Sequence, residues 1–327
     1  MAGSSPMRVA VTGGAGFIGL AAAEALLAAG HDVLALDLAP PPEAFAGHPG
    51  LAGLVFARCD VTDQEALTGA LRGFGAQALV HLAAMTPDGE TARRAAPRVV
   101  AVNVGGTVAA VEAAAAAGLG QMLAMSSVAV YGGTGPWAGE TLREDGPLAP
   151  DSLYGVTKQA AEALALHLAA ARGLALTVLR LGPVFGPWER PGALRPDLSP
   201  HGRLLQLAAA CTPAVLPHAM AGDWLYSRDA GAGIAAALVA GGGGVFNLGA
   251  GRLSTPADWA AAAGLPAPGT DPARANVTAR VTPGRPMLDT AALARHCGYP
   301  GARPLAEAAA DHMEWCAATA PRERTRP

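Results

Sequence analysis

The stretch Val9-Ala10-Val11-Thr12-Gly13-Gly14-Ala15-Gly16-Phe17-Ile18-Gly19 constrains this chain most. Val9–Val11 read as a short buried strand. A glycine-rich turn follows, and an alanine-rich helix is predicted from about Leu20 to Ala29. A turn this tight demands positive φ, which glycine reaches at little cost. It also lets backbone approach a ligand closely, and the helix start behind it offers N–H groups and a positive dipole end to an anion. Asp37 closes the next apolar strand, His31-Asp32-Val33-Leu34-Ala35-Leu36-Asp37. A glycine turn between strand and helix, with an acid ending the second strand, is the pattern of a dinucleotide site.

The 327 residues are 51% hydrophobic, enough for a sizeable core and, by length, about two domains. The formal net charge is −3, with no long run of one sign, so neither nucleic acid nor an anionic membrane is an expected partner. Apolar stretches are broken by Gly, Pro or charge well short of the ~18 residues of a membrane span. Met1–Pro6 has neither a basic region nor an apolar one, and reads as a short leader on a cytoplasmic protein. Cys59, Cys211, Cys297 and Cys316 are scattered, without a C-x-x-C pair. They read as isolated buried thiols, and no metal site is expected.

Strands and helices alternate through the first half. Strands are predicted at 53–58, 78–82, 121–126 and 174–180, with long helices at about 99–117 and 153–172. Near-continuous apolar strands joined by helices imply an α/β fold, a doubly wound parallel sheet of the Rossmann type covered on both faces. After Gly182 the rhythm breaks. A helix is predicted at 204–210, a short strand at 224–226, a helix at 229–239 and a last core strand at 245–248. The expected division is a cofactor domain over 1–180, rejoined by about 225–249. A smaller C-terminal substrate-binding lid takes 181–224 and 250–320, and 321–327 is a tail.

Tyr154-Gly155-Val156-Thr157-Lys158 is the second anchor. Tyr and Lys four apart share a helix face. A neighbouring ammonium favours the phenolate and lowers the tyrosine pKa from ~10. Such a tyrosine can exchange a proton with a substrate hydroxyl. The helix follows a strand that ends in Ser126-Ser127, and parallel sheets bind ligands at the carboxyl ends of their strands. Glu140, Glu144 and Asp145 read as solvent-facing, Trp188 and Trp224 as packing residues, and His81 as a satisfied structural histidine. Arg190, Arg195, Arg203, His201 and His218 read as lid residues at the surface.

These segments occur in order together with Asp60-Val61, His81-Leu82-Ala83-Ala84, Asn103, Ser126-Ser127-Val128-Ala129-Val130-Tyr131-Gly132, Leu179–Pro187 and Gly284–Asp289. Together they resemble the extended short-chain dehydrogenase/reductases, the NAD-dependent epimerase/dehydratase family of sugar-modifying enzymes. The resemblance covers nearly the whole chain. It implies catalytic roles for Ser127, Tyr154 and Lys158. It implies cofactor contacts at Gly13, Gly16, Phe17, Ile18, Gly19, Asp37, Asp60, Val61, Leu82, Ala83, Ala84, Asn103, Ser126, Tyr154, Lys158 and Val184. Asp37 would bind the adenosine ribose, which favours NAD over NADP. Candidate substrate contacts are Thr86, Ser127, Arg190 and Arg285.

The departures from the family pattern limit the substrate. In its 4,6-dehydratases the two residues after the Ser/Thr are acidic, whereas here they are Val128 and Ala129. Its nucleotide-sugar epimerases carry an Asn where Pro183 stands and an Arg where Gly222 stands, both near the substrate diphosphate. Arg190, Arg195, Arg203 or Arg228 would have to compensate. The expected activity is therefore NAD-dependent oxidation of a secondary hydroxyl on a sugar, sugar acid or related polyol, as a dehydrogenase or an epimerase. A UDP-sugar-type epimerase is the alternative, and a non-catalytic NAD-binding sensor is the reading from another class. The two long helices are rich in small residues and could pair with a second copy, so a homodimer is expected.

Overall fold

The chain is described by a computed structural model covering residues 5–87, 89–135, 137, 139–191, 197–278 and 284–319. Arg195 and residues 321–327 lie outside the described residues. Seven parallel strands form the main sheet: β1 Arg8–Thr12, β2 Asp32–Asp37, β3 Val55–Arg58, β4 Ala78–His81, β5 Gln121–Ser127, β6 Ala175–Leu181 and β7 Gly244–Leu248. Their order is β7-β6-β5-β4-β1-β2-β3. The direction of the crossovers therefore reverses between β1 and β4, and the loops leaving their carboxyl ends splay apart there. Val9 pairs with Val33 on one side and with Ala78 on the other, which places β1 in the middle.

Alternate residues of each strand serve opposite layers. Val9, Val11, Val80, Leu123 and Leu179 face one core, shared with helix α1 Phe17–Ala28. Ala10, Leu34, Leu79, Met122 and Leu176 face the other, against helix α2 Gln64–Phe74 and the long helices that follow. The helix start at Gln64 is fixed by Asp63, whose carboxylate accepts from Ala66 N at 2.9 Å.

Helix α3 runs from Ala96 to Ala116 and carries a π turn over Ala101–Gly105. By length and composition alone it could cross a membrane, because Gly105 and Gly106 do not interrupt it as the sequence reading supposes. Half of its apolar window is buried in the fold, as in a core helix. Helix α4 spans Leu153–Arg172, as expected. The Ser152 hydroxyl accepts from Gly155 N at 3.1 Å, and Gly173 ends the helix at φ +66°.

The C-terminal part gathers helices α5 Pro200–Ala209, α6 Ser227–Ala240, α7 Pro256–Ala262, α8 Ala291–Cys297 and α9 Leu305–Thr319. Of these, α6 packs back on α1 so closely that a Cβ on Gly231 would strike the Ala21 carbonyl. Helix α5 starts four residues before its expected position because Ser199 caps it, accepting from Gly202 N, and Pro200 occupies the first turn. Phe185, Trp224, Tyr226 and Trp259 form a separate aromatic core with α5, α7 and α9. The cysteines depart from expectation. Only Cys59 is buried; Cys297 and Cys316 are half-buried and Cys211 is exposed.

His201 is fully buried in that aromatic core, not at the lid surface as the sequence reading has it. It stacks on Phe185 at 3.9 Å between ring centroids, and neither ring nitrogen has a partner among the described residues. Burial, and then the neighbouring His312, hold its pKa well below 6.5. The folded state thus excludes a proton that the unfolded chain takes up near pH ~6.5. Stability is intact above that pH and is lost as pH falls toward the folded value. We expect His201→Leu to remove up to ~1.4 kcal/mol of the stability lost between pH ~7.5 and ~5.5. Urea denaturation at the two pH values measures this, and an unchanged acid sensitivity would refute it.

Candidate active site

The first wall of the site is the turn after β1. Gly13 sits at φ +67°, and a Cβ there would come within 2.8 Å of Ala83 N. Glycine thus lets the loops after β1 and β4 touch at the point where crossovers reverse. A Cβ on Gly19 would collide with the Gly13 carbonyl, so the helix can begin directly under the turn. Gly16 caps α1 in an extended conformation, and Phe17 and Ile18 form its first turn. The Asp37 carboxylate accepts from Ala15 N at 3.1 Å and Leu38 N at 2.7 Å, which fixes it beside the glycine turn. Burial raises its pKa, and those two backbone bonds oppose the rise. Asp60 turns its carboxylate on Thr62 instead, accepting from the backbone N–H at 2.9 Å and the hydroxyl at 2.8 Å. Val61 is buried against Gly106 of α3.

His81, at the end of β4, is buried and bonded on both sides. Its Nδ1 lies 2.8 Å from Thr12 Oγ1 and its Nε2 lies 3.0 Å from Thr107 Oγ1. The Thr107 hydroxyl donates to the Asn103 carbonyl, so it accepts from His81 Nε2–H. Nε2 therefore carries a proton, and in the neutral ring Nδ1 is the acceptor. Burial and then the Lys158 charge push the pKa down to about 3, as a structural histidine should show. Leu82, Ala83 and Ala84 continue from it, half-buried.

Asn103 occupies the π turn of α3. Its Oδ1 accepts from Met85 N at 2.7 Å, and its Nδ2 donates to the Met85 carbonyl at 3.0 Å and to Thr157 Oγ1 at 3.1 Å. One amide thereby locks the loop after β4 to helix α4. The extra residue in the turn aims it there, a feature the sequence pattern does not reveal. Thr86, just beyond, is exposed.

Helix α4 brings Tyr154 and Lys158 to the carboxyl end of β5. Tyr154 is half-buried in the first turn. Lys158 is buried and donates from Nζ to the Met125 carbonyl at 2.5 Å. Desolvation lowers its pKa to about 8, and the Glu162 charge works against that. Ser127 is buried at the last position of β5, where its Oγ accepts from Ala129 N at 3.2 Å. Ser126 beside it is also buried. Val128 and Ala129 follow in a single 3₁₀ turn.

The sequence model of the NAD dependent epimerase/dehydratase family matches residues 9–249. The chain belongs to the NAD-dependent epimerase/dehydratase family. Similar relatives include a dTDP-glucose 4,6-dehydratase of Streptomyces niveus, 33% identical over 208 residues that make up 58% of this chain and 57% of the relative. An L-arabinose 1-dehydrogenase (NAD(P)(+)) of Haloferax volcanii is 37% identical over 185 residues, 54% of this chain and 66% of the relative. A UDP-glucuronate 4-epimerase of Thermodesulfobacterium geofontis is 32% identical over 252 residues, 74% and 75% of the two chains. The match thus spans less than two thirds of the first two relatives. Among solved structures, MoeE5 in complex with UDP-glucose and NAD superposes with a TM-score of 0.76 at 28% identity, over 95% of this chain and 99% of that one.

As a member of this family the protein is an enzyme that uses NAD. Its own residues fit that cofactor: a glycine turn at positive φ packed on the backbone of Leu82–Ala83, a helix start behind it, and a fixed carboxylate acceptor at Asp37. The register also sets Arg58 of β3 alongside Asp37.

The remaining candidates scatter. Val184 is buried in a short strand pair with Leu225–Tyr226. Arg285 is half-buried and gives Nε and Nη2 to the Gly132 carbonyl at 3.2 and 2.9 Å, which ties the C-terminal part to the loop behind Ser127. Burial lowers its pKa. Arg190 is exposed, its guanidinium 5.0 Å from the centre of the Phe45 ring. Arg203 donates to the Asn276 carbonyl and to Gln206. Arg228 pairs with Glu24 and Asp311. Trp188 and Trp224 are packing residues as expected, their indole N–H groups going to Glu24 and the Met220 carbonyl.

Glu144 does not face solvent as the sequence reading has it. It is half-buried, accepts from Asn247 N at 2.8 Å and offers its own carbonyl to Arg180. That contact belongs to a network sequence reasoning missed. Arg180 and Glu162 pair at 2.6 Å, and Arg180 Nη1 also donates to the Tyr131 hydroxyl, which donates to Asn247. The one available signal was a lone arginine inside the apolar strand Leu179-Arg180-Leu181.

Proposed function

We propose that this enzyme oxidises a secondary hydroxyl of a sugar, sugar acid or related polyol, as a dehydrogenase or an epimerase, with Ser127, Tyr154 and Lys158 as its working side chains. One observation carries the reading. Lys158 is buried one turn behind Tyr154, with its ammonium tied to the Met125 carbonyl two residues before Ser127. A cation held there favours the phenolate, so Tyr154 takes the proton of the substrate hydroxyl. The Ser127 oxygen accepts from Ala129 N, which leaves its own proton to orient the reacting oxygen. NAD, when bound, supplies the hydride acceptor. Its supports would be the turn Gly13–Gly19, Asp37, the backbone at Asp60–Val61 and Leu82–Ala84, and Lys158.

Val128 and Ala129 carry no proton-transfer group, so the proposal excludes dehydration despite the dehydratase relative. Relatives that act on UDP-sugars favour a nucleotide-sugar epimerase as the second reading. Against it stand Pro183 and Gly222 and the arginines already engaged by protein, Arg203, Arg228 and Arg285. Charged hydrogen bonds of ~1.5–3 kcal/mol each would be missing from a diphosphate. We therefore favour a substrate without a nucleotide. Denaturing the purified protein and identifying what it releases separates the two outcomes of the chemistry. Tightly retained NAD indicates an epimerase, and freely exchanging NAD indicates a dehydrogenase. Failure to bind NAD at all would overturn the reading.

We also propose a homodimer in the cytoplasm. Val100 of α3 and Val156 and Leu164 of α4 are exposed apolar residues on the two long helices, consistent with a covered face. Light scattering at micromolar protein should give twice the 32.5 kDa chain mass. A species of chain mass alone would refute the dimer.

A further inference from the structure

Around Lys158 lies a polar group of which the proposed proton transfer uses Lys158 alone. Ser126, Thr107, Lys158 and Glu162 line a cavity of about 10 Å³, measured as space open to a water's centre, whose other walls are apolar. That is room for about one water. The Ser126 hydroxyl is 4% exposed and has no hydrogen-bond partner among the described residues. An orphan buried hydroxyl beside a space of that size is the setting of an ordered internal water. Lys158 carries three N–H donors, and one goes to the Met125 carbonyl. Glu162 receives Arg180 mainly on Oε1, at 2.6 and 3.2 Å, while Oε2 takes one longer bond at 3.2 Å. Both partners therefore keep hydrogen-bonding capacity toward the cavity.

The groups around Lys158 come from three elements. Glu162 lies one turn along α4, Arg180 of β6 is bound to Glu162, and neutral His81 ends β4. Of these, Glu162 alone is anionic. We propose that Glu162 is a positioning residue for the Tyr154–Lys158 pair: through one water held between Ser126, Lys158 and Glu162, it acts as the buried counter-ion that keeps the Lys158 ammonium charged. The inference rests on the reading of Tyr154 as the proton acceptor. Desolvation, partly offset by the Glu162 charge, leaves Lys158 at about 8. Without the carboxylate the lysine loses its proton closer to neutrality, and Tyr154 loses its cation.

The test needs no substrate. The chain has four tyrosines. Tyr131, Tyr226 and Tyr299 are buried, and desolvation raises the pKa of each. The tyrosinate absorbance of the wild type minus that of Tyr154→Phe therefore reports Tyr154. We expect Tyr154 to ionise clearly below ~10 in the wild type. In Glu162→Gln/Arg180→Met, which removes both buried charges together, the ionisation should move up by about one pH unit. Ser126→Ala, which keeps the ion pair and removes the water's anchor, should move it in the same direction by less. Urea denaturation checks that each variant folds. A lowered wild-type value that neither variant changes would overturn the role of Glu162 and leave the Tyr154 reading standing. A wild-type value near ~10 would overturn the Tyr154 reading itself.

Discussion

Tyr154→Phe is expected to lower turnover about 10²–10⁴-fold with little change in NAD affinity. The substitution deletes one oxygen and keeps the ring. The start of the helix is held by other groups. Ser152 caps the helix through Gly155 N, and Thr157 bonds the Tyr154 carbonyl at 2.9 Å, both through backbone partners. What is lost is the group that takes the hydroxyl proton next to a buried ammonium. An effect confined to the reacting state lowers kcat and kcat/KM together. Initial rates on a substrate that the wild type turns over, with NAD titrations beside them, measure this. Undiminished turnover would dismiss the proposed mechanism. A protein that binds NAD but turns over no sugar would instead favour the non-catalytic sensor.

Arg180→Met should destabilise the fold by about 3–5 kcal/mol, a large share of the ~5–15 kcal/mol that a domain has in total. Arg180 and Glu162 have side chains only 6% and 5% exposed. Removing the cation leaves the carboxylate without its direct ion-pair partner beside Ala161, Ala165 and Val178, with Lys158 only across the small cavity, and it withdraws donors from Tyr131 and the Glu144 carbonyl. Because the penalty comes from the unpaired charge, adding Glu162→Gln should recover most of it. Urea denaturation at neutral pH compares the three proteins. A single-variant loss under ~1 kcal/mol would mean that bulk solvent screens Glu162 and that the pair is not truly buried.

The parts of this fold that were legible in the sequence are those whose causes are local. Helix α4 begins and ends where Ser152 and Gly173 dictate. The glycine turn and Asp37 meet across one strand–helix–strand unit, and Ala15 N bonds the carboxylate. Contacts between residues far apart in the chain left no such trace. Trp188 gives its indole N–H to Glu24, 164 residues away. The Tyr131–Asn247 bond spans 116 residues. His201 read as a surface residue because its arginine- and proline-rich surroundings look polar, yet an aromatic core assembled from α5, α7 and α9 encloses it. Asn103 was singled out by resemblance, but the π turn that aims it cannot be read from an alanine- and valine-rich run whose hydrophobic pattern suits an ordinary helix equally well. The substrate side is least legible because arginines that could have met an anion turn instead to carbonyls and carboxylates of the protein.

The central claim is that this NAD enzyme draws a proton from a sugar-like secondary hydroxyl through Tyr154. The most direct measurement incubates the wild type and Tyr154→Phe with NAD and a panel of free sugars, aldonates, uronates and UDP-sugars. NADH absorbance and product stereochemistry are followed together. The account predicts oxidation or inversion of at least one sugar or sugar acid without a nucleotide by the wild type, and its near-complete loss in the variant. Turnover confined to UDP-sugars, or turnover that survives in the variant, would contradict it.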